Sequence, residues 1–211
     1  MSREAGSRWV VLACASACFG LFVWLAIAIS SGAAGSFDEA IRAAIHRFAS
    51  SDLTPFARGV SLFGSAAVIA ALSVIAFVGF YVTGRRRAAI ALAVVMAGAV
   101  ILENALKFAF QRARPEPFFG TAPETYSFPS GHALFSACFY GALAWLLGAA
   151  FRNRGVRAAI WMISLALIAA IGLSRLYLGF HYPTDVIAGY LVAAFWTTAL
   201  LASRAGRSLE S

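Results

Sequence analysis

The sequence predicts an all-α fold, a bundle of six transmembrane helices with one short interfacial helix, and three observations lead there. Apolar residues make up 61% of the 211 residues and charged ones only 12%, with a mean hydropathy of +0.80, far from the roughly half-apolar, quarter-charged usage of soluble domains. Six apolar stretches recur at about 9–30, 60–83, 88–110, 132–150, 158–175 and 185–203, each long enough to cross a hydrocarbon layer of about 30 Å with modest tilt. The basic residues fall in alternate connections, as the positive-inside rule expects of a chain that threads a membrane.

The first stretch, WVVLACASACFGLFVWLAIAIS at 9–30, is too long for a signal-peptide core and no clear A-x-A cleavage site follows it, so it is read as a retained span. Next, SFDEAIRAAIHRFA pairs Ser36 with Glu39 in a capping-box pattern and repeats Phe37, Ile41, Ile45 and Phe48 at helical spacing. Residues 36–49 are therefore expected to form the short outward interfacial helix. Its polar side carries Asp38, Arg42, His46 and Arg47; these suit an anionic headgroup but equally any solvated helix face, and the second reading is preferred.

Of the 17 basic residues, ten sit at the N-terminus (Arg3, Arg8), in GRRR (Arg85, Arg86, Arg87), in RNRGVR (Arg152, Arg154, Arg157) and at the C-terminus (Arg204, Arg207). This places both termini and those connections in the cytoplasm, and 31–59, 111–131 and 176–184 on the outer side. The net charge of +8 thereby reports topology and calls for no nucleic-acid partner. Cys14, Cys18 and Cys138 lie in apolar runs without CxxC or thiol–His spacing, and read as small packing residues rather than a zinc site or disulfide framework. No repeat or linker divides the chain, so 1–211 is expected to be one domain. Gly20, Gly64, Gly79 and Gly141 serve internal packing and dimerisation equally well, so no oligomeric state follows.

Three polar clusters interrupt this pattern, all at the outward ends of the spans. In KFAFQRARP, Lys107 is the chain's only lysine, followed by Arg112, Arg114 and Pro115. A charge inside a membrane helix is costly and functional by default, although Glu103 one turn earlier offers it a structural partner. In SFPSGHALF, Pro129, Ser130 and Gly131 precede His132, exposing the first N–H groups of a helix as an anion site. In SRLYLGFHYPTD, Ser174, Arg175, His181 and Asp185 close the set. A carboxylate four residues beyond a histidine can hold one ring nitrogen and leave the other free to attack. Outside that third cluster the outward loops offer only Asp38, Glu39, Asp52, Glu116 and Glu124, none at metal-ligand spacing to a histidine, so no metal or cofactor is expected.

Lys107-x6-Arg114-Pro115, Pro129-Ser130-Gly131-His132 and Ser174-Arg175-x5-His181-x3-Asp185 together resemble the three-part signature of the type 2 phosphatidic acid phosphatase (PAP2) superfamily. The resemblance covers about 60–203 and implies a PAP2/haloperoxidase-like core of the membrane branch. It implies that His181 attacks phosphorus, Asp185 orients it and His132 protonates the leaving oxygen. Lys107, Arg114 and Arg175, with Ser130 and the Gly131 N–H, would hold the phosphoryl oxygens. Arg112 falls outside the motif and is left unassigned. The implied activity is metal-independent hydrolysis of a lipid or isoprenoid phosphate, such as undecaprenyl diphosphate, phosphatidic acid, phosphatidylglycerol phosphate or a lipid A phosphate. A phosphotransferase using the same residues, and an anionic-lipid binder without turnover, are the alternatives; a soluble vanadium haloperoxidase fits the membrane pattern poorly.

Overall fold

The computed structural model describes residues 2–121 and 123–202. Eight helices follow in order: α1 Ser2–Ser30, α2 Gly35–His46, α3 Leu53–Leu62, α4 Ala66–Val82, α5 Arg86–Phe110, α6 Gly131–Gly148, α7 Arg154–Tyr177 and α8 Pro183–Ala202. Arg204 and Arg207 lie outside the described residues. Among the described residues four helices are long and apolar enough to cross a membrane, namely Trp9–Ser30, Arg86–Phe110, Gly131–Gly148 and Arg154–Tyr177. The stretch expected as one span at 60–83 is instead divided between α3 and α4, which together pass the same test but are bent by 46°. The break falls at Phe63–Ser65, where the Ser65 side chain accepts from Val68 N and starts α4 afresh. A serine hydroxyl that satisfies an orphan N–H is a helix-start signal, here lodged inside an apolar run.

Helix α6 is the axis of the bundle. It packs against α4, α5, α7 and α8, and Ala133, Leu134, Cys138, Phe139 and Ala144 on it are almost fully buried. The main core joins Leu134, Cys138 and Phe139 to Ala89, Leu92 and Ala99 of α5, Ile168 and Ile171 of α7, and Val192 of α8. Helix α1 lies along α8, where Phe22 and Leu25 meet Ala188 and Leu191. The outer faces carry exposed Trp24, Ile27, Ile75, Ile101, Phe108 and Ile163, which suits hydrocarbon and not water. Three polar groups in this core find backbone partners, as a membrane interior favours: Tyr140 OH donates to Phe63 O at 2.9 Å, Tyr190 OH to Ile168 O at 2.7 Å and Trp196 Nε1 to Val95 O at 3.0 Å. Cys138 packs in this core, whereas Cys14 is exposed.

Two expectations about the segment after the first span are corrected. Helix α2 begins at Gly35 with Ala34 at the cap position and no side-chain cap bond, so Ser36 lies inside the helix and the capping box does not form. The reading of its polar side as solvated also fails at two residues: Asp38 is 0% and Arg42 6% exposed. They are buried because α2 packs on α7 and α8, so its inner face meets protein instead of water.

Candidate active site

The chain connects α5 to α6 through a loop, 111–130, folded over one end of the bundle. Gln111 caps α5 in the left-handed region at φ 44°, a conformation that turns the chain sharply and that non-glycine residues rarely hold. The loop is then pinned at both ends. Ser127 N donates to Arg112 O at 2.8 Å, and Phe118 N and Phe119 N both donate to Leu178 O at the end of α7. Gly179 is needed for that second clasp: at φ 78° a Cβ there would stand 2.5 Å from Phe118 N.

These closures bring the three sequence clusters to one point. The His181 side chain is 1% exposed and lies between Arg114 and Asp185. Arg114 Nη1 sits 3.1 Å from Nε2 and also donates to Phe180 O at 2.9 Å, while Nε and Nη2 donate to Thr125 O and Thr125 Oγ1. A guanidinium can only donate, so Nε2 accepts and the ring proton resides on Nδ1. That nitrogen faces Asp185 Oδ2 at 3.4 Å, a long contact of the kind that tightens when substrate binds. Burial pushes the His181 imidazole from its ordinary 6.5 down to about 4; the Asp185 bond and charge oppose this, and Arg114 and Arg175 push it further down. The ring is thus neutral at physiological pH, with its lone pair on Nε2, the state a nucleophile needs.

Asp185 is held from several sides. Oδ2 accepts from Tyr182 N at 2.9 Å and from Ser127 Oγ, and Oδ1 accepts from Arg112 Nη1 at 2.6 Å. Its backbone carbonyl accepts from Ser130 N at 3.0 Å, joining the starts of α6 and α8. Ser130 Oγ and Arg175 Nε are buried without a protein partner, while Arg175 Nη1 is anchored on Ser61 Oγ at 2.7 Å and its guanidinium stacks 4.5 Å from the Phe180 ring centre. Buried polar atoms without partners are rare in folded proteins and call for a ligand. The first N–H groups of α6, from Gly131 onward, add further donors, since no earlier turn satisfies them.

Lys107 Nζ pairs with Glu103 Oε1 at 2.6 Å, the partner available one turn away. Glu103 in turn stands against the start of α6: a Cβ on Gly131 would meet Oε1 at 2.8 Å. The pair and the helix terminus are therefore adjacent, and Lys107 also lines a cleft of about 660 Å³ with Asn104, Phe108, Arg114, Thr125 and Tyr126. His132 lies in electrostatic range of Arg175, His181, Arg114 and Lys107, and no hydrogen bond holds its ring among the described residues. A second, apolar cavity of about 680 Å³, lined by Val95, Trp145, Trp161, Ile168 and Thr197, lies at the other end of the bundle and away from this chemistry.

All eight residues singled out from sequence, Lys107, Arg114, Ser130, Gly131, His132, Arg175, His181 and Asp185, come from the cluster at this one end. Sequence reasoning missed Ser127 and Ser61, which touch Asp185 and Arg175, and left Arg112, Glu103 and the α2 helix without a role. Ser127 carried a signal, since it opens the same SFPSGH run; Ser61, in an apolar run at a helix end, carried none.

Comparison with known proteins agrees with the geometry. Residues 88–208 match the model of the PAP2 superfamily. Phosphatidylglycerophosphatase B of Bacillus subtilis is 29% identical over 174 residues, 82% of this chain and 85% of that protein. Lipid A 1-phosphatase of Rhizobium johnstonii is 37% identical over 118 residues, 50% of this chain but only 44% of that longer protein. The crystal structure of a transmembrane PAP2 type phosphatidylglycerolphosphate phosphatase from Bacillus subtilis superposes with a TM-score of 0.81 at 27% identity, covering 89% of this chain and 94% of that one. With its long apolar helices and its three converging motifs, the chain is a multi-pass membrane protein that belongs to the PAP2 superfamily.

Proposed function

We propose that this protein is a lipid phosphatase that hydrolyses a lipid or isoprenoid phosphate through a phosphohistidine at His181. The observation that carries this reading is the state of His181, a buried neutral ring with Nδ1 toward Asp185 and Nε2 toward Arg114. A phosphoryl group entering the site would take over the Arg114 N–H groups and free the Nε2 lone pair. Nε2 then bonds to phosphorus as the P–O bond to the lipid breaks, and His132 gives its proton to the departing oxygen. The incoming dianion favours that protonated form of His132. In the second half, water attacks phosphorus, its proton returns to His132, the P–N bond breaks and inorganic phosphate leaves. Lys107, Arg114, Arg175, Ser130 and the Gly131 N–H supply fixed donors for the equatorial oxygens, the main source of stabilisation in phosphoryl transfer.

The topology read from sequence completes the proposal. Counting the bent α3–α4 pair as one span and α8 as the last gives six crossings, with α2 at the outer interface and the termini in the cytoplasm. The Arg-rich connections before α5 and before α7 then stand at the cytoplasmic end, and the site opens at the opposite, outer face, level with lipid headgroups. The similarity to phosphatidylglycerophosphatase B over most of both chains favours a glycerophospholipid phosphate, and undecaprenyl diphosphate and lipid A remain the competitors to assay beside it.

The test is phosphate release by purified, detergent-solubilised protein from those lipids in chelator, with His181→Ala alongside. Release that the substitution abolishes, together with an acid-labile phosphoprotein trapped in the native enzyme, is the expected result. Equal rates for mutant and native protein would overturn the phosphohistidine route, and dependence on added metal would overturn the cation-only site.

A further inference from the structure

Behind Asp185 lies a buried polar group that the three motifs do not include. Asp38, from α2, is 0% exposed. Its Oδ2 accepts from Arg112 Nη2 at 2.7 Å and from Thr184 Oγ1 at 2.7 Å, and its Oδ1 accepts from Thr184 N at 3.0 Å. Arg112 completes the circuit: Nη1 donates to Asp185 Oδ1 at 2.6 Å and to Thr184 Oγ1 at 2.8 Å. The charges alternate as Asp38, Arg112, Asp185, ending at His181. The Tyr182 ring lies under the Arg112 guanidinium, 4.1 Å from its centre, and closes the remaining face.

A carboxylate removed from water is costly unless its charge and lone pairs are met, and a fully met network is rigid. Here Asp38 meets two demands at once. Thr184 N belongs to the first turn of α8 and has no intrahelical acceptor, so Asp38 caps that helix from across the structure and sets a negative charge at its positive end. The Arg112 side chain is long, and free it could turn toward any anion, including the phosphate; bonded to Asp38 it has one orientation, the one that fixes Asp185 Oδ1. With Oδ1 fixed, the plane of the carboxylate is fixed, and Oδ2 is presented to His181 Nδ1.

We propose that Asp38 is a positioning residue for the nucleophile, acting through Arg112 and Thr184 on Asp185, so that α2 is part of the catalytic apparatus. The proposal rests on the phosphohistidine reading of the site. A pure anchoring role for α2 would explain the burial of Asp38, but predicts a loss of folded protein, with no dependence on Asp185.

The experiment measures kcat and KM for phosphatidic acid in detergent micelles for Asp38→Asn, Asp185→Asn and the double variant, with thermal melts of each. Asparagine keeps the shape and one acceptor but not the charge. We expect Asp38→Asn to lower kcat by about 10- to 100-fold, the scale of a misplaced reacting group, with KM changed by less than about twofold. The double variant should be no slower than Asp185→Asn within about twofold, because residues acting as a unit are non-additive. A kcat near that of the native protein, a change confined to KM, or losses that multiply in the double variant would each overturn the proposal. If Asp38→Asn does not fold, Arg112→Gln with and without Asp185→Asn decides by the same rule: non-additive losses support it and multiplying losses overturn it. His181→Ala separates the two levels of inference. Its full activity would overturn the phosphohistidine reading and this proposal with it, whereas its inactivity beside a fully active Asp38→Asn would overturn this proposal alone.

Discussion

The two ends of the bundle are built on opposite plans. At the site end, Asp38, Arg42, Glu103, Ser127, Ser130, Arg175, His181, Thr184 and Asp185 are all buried, and side-chain bonds there join residues up to 146 positions apart in sequence. At the other end the arginines of 85–87 and 152–157 are exposed or half-buried in the connections and first turns of α5 and α7, beside a half-open apolar cavity. The difference teaches where charge is a structural convenience and where it has a chemical use. Arginines at a membrane surface are stabilised by water and set topology whatever their partners, whereas charges withdrawn from both water and lipid persist only if something in the molecule needs them there.

The sharpest break of the comparison is His181→Ala. Removal of the proposed nucleophile should lower kcat by at least about 10⁴-fold, as loss of one member of a catalytic unit does, while thermal melting stays close to native; phosphate release at a residual rate in a few-fold range would erase the contrast between the ends. Lys107→Ala comes next. It removes one proposed donor to the transition state and leaves Glu103, 11% exposed in its side chain, beside the start of α6. About a 10²- to 10³-fold loss in kcat/KM is expected, and Lys107→Arg should restore little, because a planar fork replaces a compact ammonium.

The acid limb of the pH profile tests the His181 environment. Because burial holds its imidazole near 4 instead of 6.5, His181 stays unprotonated in the free protein until the pH falls through about 4. The kcat/KM limb that His181 controls should lie there, and an acid limb near 6.5 that Asp185→Asn does not move would count against this burial. The sign for stability follows from the same shift. Between about pH 6.5 and 4 the unfolded chain binds a proton at this position that the folded one does not, so stability contributed by the neutral ring is full above 6.5 and declines as the pH drops toward 4.

Much of this was legible in the sequence. The all-α bundle followed from apolar runs, since a membrane leaves helices few alternatives; Lys107, Ser130, His132, Arg175, His181 and Asp185 stood out because they break an apolar pattern near the span ends, and the resemblance to the PAP2 signature picked out Arg114. The parts that were not legible share one property, that their partners are distant in sequence. Asp38 reads as one more polar residue on an amphipathic helix until α2 is packed against α8, and Arg112 cannot be told from Arg114 by spacing once it falls outside the motif. Ser36 looks like a cap because its neighbour Glu39 is right for one, yet the turn before it already starts the helix at Gly35. The break between α3 and α4 was hidden by composition, for Phe63 and Gly64 are as apolar as the helices they separate.

The smallest expected effect is the most discriminating for the other end. Arg85 Nη2 donates to Leu146 O at 2.6 Å, and its guanidinium lies 5.0 Å from the Phe80 ring centre. It thus satisfies one of the last carbonyls of α6 and sets a positive charge at the negative end of that helix's dipole. Arg85→Ala should lower stability by about 1 kcal/mol, the net worth of such a bond, read as a small drop in melting temperature. Helix α6 also carries His132 near its far end, about 21 Å from Leu146 at 1.5 Å of rise per residue over the 14 residues between them. If the two ends are independent, kcat and KM of Arg85→Ala match the native values within about twofold. A larger fall in kcat with the protein still folded would mean that the C-terminal cap of α6 sets the axial position of its N-terminus, and the arginine end would then have to be counted as part of the site it stands opposite.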